Sequence, residues 1–109
     1  MSTRDELTTV LTRLEEEMHK IVAGEGEPYD AGLRIWRDAF SHAAKFQDVV
    51  WPIWLLWGAL TDWVEVKADQ RSLAEEAMRR ASREWLDLSR DPDSVKQYFE
   101  RWFEELGCC

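Results

Sequence analysis

Cysteine is nearly missing from this chain: two residues in 109, standing side by side as Cys108 and Cys109. Adjacent cysteines do not staple distant parts of a fold, so neither a disulfide framework nor an oxidising compartment is expected. Proline (three) and glycine (five) are scarce too, which leaves long stretches with nothing to break a helix. Long apolar runs are lacking. The longest uncharged stretch, residues 49–61, has thirteen residues, whereas a bilayer-spanning helix needs about 20. The segment from Met1 to Glu6 places no apolar run behind a basic one, so no secretory signal is expected. Positive charge is in deficit, 14 Lys+Arg against 22 Asp+Glu, for a formal charge of −8. A nucleic-acid binder needs a basic stripe to displace phosphate counterions, so that class is set aside. The expectation is a cytoplasmic protein with no membrane span and no nucleic-acid partner.

What the chain does have is enough apolar residue, 45%, to build a core without metals or disulfides. At this length one domain is expected, over residues 1–107, followed by a flexible Cys-Cys tail at 108–109. Seven tryptophans are the compositional anomaly.

Helical periodicity is nearly continuous, and no strand-like segment or internal repeat interrupts it. The fold class expected is all-α: an antiparallel bundle of four to five helices with no sheet. The first helix is expected over residues 3–23. Thr3 and Glu6 have capping-box spacing, and Leu7, Val10, Leu11, Leu14, Met18, Ile21 and Val22 form one apolar face. Gly24 terminates it. A second helix is expected over residues 30–46, with an inward stripe of Leu33, Trp36, Phe40, Ala43 and Ala44 and a first turn weakened by Gly32. A third starts near Pro52, since proline suits the first position of a helix. Whether it ends near Lys67 or runs through residue 89 stays open. The stretch from Leu73 to Ser89 places Leu73, Ala74, Ala77, Met78, Ala81, Trp85 and Leu88 on one side. Its outer side pairs Glu75 with Arg79, Glu76 with Arg80, Arg80 with Glu84 and Arg83 with Asp87. The last helix is capped by Asp91, opens on Pro92 and closes at Gly107, with Val95, Tyr98, Phe99, Trp102, Phe103 and Leu106 inward.

Few side chains suggest chemistry. Glu16 and His19 form a Glu-x-x-His, but di-iron bundles need that motif twice and facing inward. The other histidine, His42, follows Ala39 at that spacing, and both histidines project away from the apolar stripes. Cys108 and Cys109 have no rigid frame to orient a base, and they lack the C-a-a-X form and a polybasic neighbour. Arg71, Arg79, Arg80 and Arg83 alternate with Glu75, Glu76, Glu84 and Asp87, as on a solvated face. No catalytic residue, cofactor site or metal ligand is assigned, and an enzyme is the less favoured class.

The informative segment is residues 51–63. With Trp51 at 0° and ~100° per residue, Ile53, Leu56, Trp57, Leu60 and Val64 gather near ~140–240°, with Trp63 beside them. Asp62, Glu65 and Asp69 mark the solvent side. That same side carries Trp51, Trp54, Leu55 and Gly58. Either this half of the helix is covered all round, or these four residues form an interaction patch. The reading preferred is a homodimer using that surface, because a symmetric pair is the commonest way to bury such a patch. Two others stand beside it. One is an acidic inhibitor or immunity-type protein for a basic partner, using Glu15, Glu16 and Glu17 and then Asp62, Glu65 and Asp69. The other is a ligand-binding or catalytic bundle with a pocket walled by Trp36, Trp57, Trp85 and Trp102.

Overall fold

The structure, a computed structural model, describes residues 3–107, with side chains from Arg4 onward. The Cys-Cys tail and the capping side chain of Thr3 lie outside the described residues. The chain is an all-α bundle of five helices, with no strand among the described residues: α1 (Thr3–Ala23), α2 (Pro28–His42), α3 (Val50–Val66), α4 (Arg71–Asp87) and α5 (Pro92–Leu106). The open question about residues 52–89 resolves as two helices. Lys67 leaves the helical region, and the short 3-10 segment Ala68–Gln70 turns the chain into α4.

α5 follows its sequence signals throughout. Asp91 accepts from the Ser94 amide at 2.9 Å, Pro92 opens the helix, and Gly107 closes it in the left-handed region at φ 70°. α2 does not. It begins at Pro28, whose fixed φ suits the first helical turn, and ends at His42 instead of residue 46. Its inward face is Ala31, Gly32, Ile35 and Ala39, continued by Ala43, while Leu33 and Trp36 are half-buried and Phe40 and Ala44 exposed. The reason is volume. α2 lies so close to α3 that a Cβ on Gly32 would stand 3.2 Å from Thr61 Cγ2 and 3.3 Å from Trp57 Cε3. Small residues on α2 make room for the Trp57 indole on α3.

Two further apolar residues leave the core. Leu73 is 60% exposed and Val22 41% exposed, both near helix ends where no neighbouring helix covers them. The arginines of α4 also pair differently from the expected ladder. Arg71 reaches Glu75, Arg79 reaches Glu76, and Arg80 crosses to Glu105 on α5. The buried side chains form one cluster drawn from every helix, including Leu14, Met18, Ile35, Leu56, Trp57, Met78, Trp85 and Tyr98. No helix among the described residues is long and apolar enough to cross a membrane.

Candidate functional site: an aromatic face on α2 and α3

α3 turns Ile53, Leu56, Trp57, Leu60 and Val64 into the core, which fixes what its opposite side presents. On that opposite side Trp51 is 41% and Leu55 37% exposed, with Trp54 and Gly58 half-buried. The Trp51 and Trp54 rings meet edge-on, with centroids 5.1 Å apart. Trp54 meets Phe40 of α2 at 5.7 Å, and Phe40 stacks towards Trp36 at 6.3 Å. The four expected residues therefore lie on one face, and Phe40, 63% exposed, joins them. Phe40 departs from the sequence expectation, which places it inward with Leu33 and Trp36. Its signal was the run of small residues at 31, 32, 39 and 43, which marks the other side of α2 as the close-packed one.

Gly58 admits a neighbour from within the chain. A Cβ there would lie 3.1 Å from Trp36 Nε1, so the Trp36 indole rests against the α3 backbone. Between Trp36 on one side and Phe103 of α5 on the other runs a hollow of about 430 Å³, floored by Leu55, Gly58, Ala59 and Asp62. The Trp54 indole N–H is buried without a hydrogen-bond partner among the described residues. Other indoles fare differently: Trp85 donates to Glu15 at 2.9 Å, Trp102 to Glu84 at 3.0 Å and Trp63 to Gln70 at 2.8 Å. A buried donor left unpaired costs about 1–3 kcal/mol. The face thus combines exposed aromatic surface with an unsatisfied polar group.

The remaining candidates are dispersed. Trp36, Trp57, Trp85 and Trp102 do not enclose a common pocket: Trp57 and Trp85 are packed in the core, while Trp36 and Trp102 border separate hollows. Of the acidic run, Glu15 is engaged by Trp85 and Arg90, and Glu17 by Arg34 and Lys20, which leaves Glu16 outside these bonds. Glu65 accepts from Tyr29 at 3.0 Å. His19 is exposed; His42 lies 3.1 Å from Arg13 and 3.9 Å from Asp38. No group of three His, Cys, Asp or Glu among the described residues is arranged to hold a metal ion.

The shifted acid–base groups serve structure. The hydrogen bond from Lys45 holds Glu6 below the usual carboxylate range, and Arg34 and Lys20 do the same to Glu17 against its partial burial. Burial pushes the phenols of Tyr29 and Tyr98 above their ordinary value, aided by Glu65 and Glu84 respectively. The Tyr98 hydroxyl donates to the Ala81 carbonyl at 2.7 Å. These shifts carry each group further from neutrality, the opposite of what proton transfer near pH 7 requires.

No family model, curated protein or solved structure matches the chain.

Proposed function

We propose that this protein acts through protein–protein contact in the cytoplasm, and that its partner is a second copy of itself held against the aromatic face of α2 and α3. The observation that carries this reading is the clustering of Phe40, Trp51 and Leu55, three of the six exposed large hydrophobics among the described residues, on one face. A contiguous apolar patch of this kind is a contact surface more often than a solvated one. The choice of a second copy rests on shape. Phe40 and Trp51 stand exposed against the Trp54 ring, and that ring also borders the hollow between Trp36 and Phe103. A twofold axis presents the same patch to itself, so exposed rings and hollow are both supplied by one surface. The cytoplasmic setting rests on the cysteine pattern, which has no use for an oxidising compartment.

Sedimentation of the reduced protein in the micromolar range tests the reading. The wild type is expected to be a dimer. Trp51→Asp and Leu55→Asp, at exposed positions that leave the core intact, are expected to be monomers with unchanged far-ultraviolet circular dichroism. A wild type that stays monomeric at high concentration overturns the reading.

A further inference from the structure

Among the described residues, each cation laid on an aromatic ring has a carboxylate beside the pair. Arg90 lies over Trp85 at 4.5 Å, and Glu15 bonds both the guanidinium and the indole N–H. Arg80 lies over Trp102 at 4.4 Å, with Glu84 on the indole N–H. Arg71 lies over Tyr29 at 5.5 Å, with Glu65 on the phenol. Lys45 lies over Phe46 at 5.7 Å, with Glu6 on the ammonium. Ring face and carboxylate together offer a cation two attractions in one place.

The hollow between Trp36 and Phe103 repeats the ring and the carboxylate. Trp36, Trp54 and Phe103 wall it, and Asp62 is its one charged lining residue. No Lys or Arg among the described residues lies over those three rings, and none bonds Asp62. Lys67 shares a neighbouring hollow with Asp62 but makes no ion pair with it.

The rest of the lining identifies the cation. Leu55, Gly58 and Ala59 floor the hollow and offer no side-chain acceptor. A primary ammonium brings three N–H donors and a guanidinium five, and one carboxylate does not satisfy them among hydrocarbon. An ammonium whose hydrogens are replaced by methyl groups keeps its charge and has no donor to strand. A peptide carrying such a group would also bring backbone N–H and C=O groups, for which this lining has no partner. The volume, about 430 Å³, is that of a small-molecule site. We propose that this hollow binds a small-molecule quaternary ammonium, with its methyl groups against the Trp36, Trp54 and Phe103 rings and its charge beside Asp62. The inference shares a face with the homodimer reading and does not rest on it.

Choline is the probe, and dimethylbutanol of the same shape, with carbon in place of the charged nitrogen, is the control. Tryptophan fluorescence is titrated at constant ionic strength and submicromolar protein, below the concentrations at which the homodimer is tested. Choline is expected to give a saturable change with a Kd of about 1 mM, and the alcohol to bind about tenfold more weakly. Asp62→Asn keeps the shape and removes the charge. Phe103→Leu removes a ring and leaves every indole in place. Each is expected to weaken choline about tenfold with unchanged circular dichroism. Glu16→Gln on α1 removes the same charge away from the hollow and is expected to bind choline like the wild type. The proposal is overturned by equal affinity for choline and the alcohol, by Asp62→Asn binding like wild type, by equal weakening in Glu16→Gln, or by no saturation up to about 10 mM. A monomeric wild type in sedimentation sinks the homodimer and leaves this site standing.

Discussion

Trp85 and Trp102 are built alike. Each donates its indole N–H to a glutamate, Glu15 or Glu84, and each carries an arginine on its ring, Arg90 at 4.5 Å and Arg80 at 4.4 Å. Carboxylate and guanidinium thus satisfy both the edge and the face of a buried ring. Asp91 illustrates the same economy at a helix end. Its carboxylate accepts from Ser89 Oγ at 2.6 Å, from the Ser94 amide at 2.9 Å and from Ser94 Oγ at 2.8 Å. Those bonds, Ser89 first, draw its pKa from 3.8 down to about 2. A pKa lowered on folding means stability that is present above the unfolded value and lost as pH falls through the folded one. Asp91→Ala is therefore expected to lower the melting temperature at neutral pH. The gap from wild type is expected to narrow as pH falls from 3.8 towards about 2 in thermal melts. This cap was legible from sequence because all its partners lie within three residues. The indole bonds were not, since Glu15 and Trp85 are 70 residues apart and nothing local announces them.

Glu15 joins α1 to the end of α4. It accepts from Trp85 and also from Arg90 at 2.7 Å, while Arg90 donates to the carbonyls of Trp85 and Leu88 and so closes the carboxyl end of α4. Glu15→Ala strands the Trp85 N–H and is expected to cost about 1–3 kcal/mol in urea unfolding. Arg90→Ala added to it is expected to cost less than the sum, because both act through one cluster. Other features at this scale were only partly readable. The core faces of α1, α3 and α5 followed from large apolar residues at helical spacing, because these helices bury their bulk. The face of α2 did not, because its inward side is made small to accept Trp57. Complementarity of volume between two helices is not written in the periodicity of either. The α3 strip at Trp51, Trp54, Leu55 and Gly58 was readable because it shares a side with Asp62 and Glu65. The hollow beside it was not, since Phe103 of α5 supplies its far wall.

At the scale of the whole molecule, the charge of −8 acts against association of two copies and in favour of a basic partner. Added salt separates the two cases. Screening relieves repulsion between like-charged chains. The proposed homodimer is expected to tighten as salt rises from about 0.02 to about 0.3 M, because the screening length shrinks well below the molecular dimensions. A charge-steered complex with a basic protein would loosen over the same range, and ultracentrifugation across a salt series distinguishes them. Much of the acidity is in any case engaged internally, as at Glu6, Glu15 and Glu17.

The placement of the indoles also has an optical consequence. Trp57, Trp85 and Trp102 sit in the core, Trp36, Trp54 and Trp63 are half-covered, and Trp51 is the one exposed tryptophan. Emission from a water-relaxed indole lies to the red of emission from a dry one, so the red edge of this chain's fluorescence belongs chiefly to Trp51. That residue stands at the head of the aromatic face, with the Trp54 ring edge-on to it. Any partner that covers the face would also dry its most solvated fluorophore, so the protein carries its own dye at the proposed contact surface.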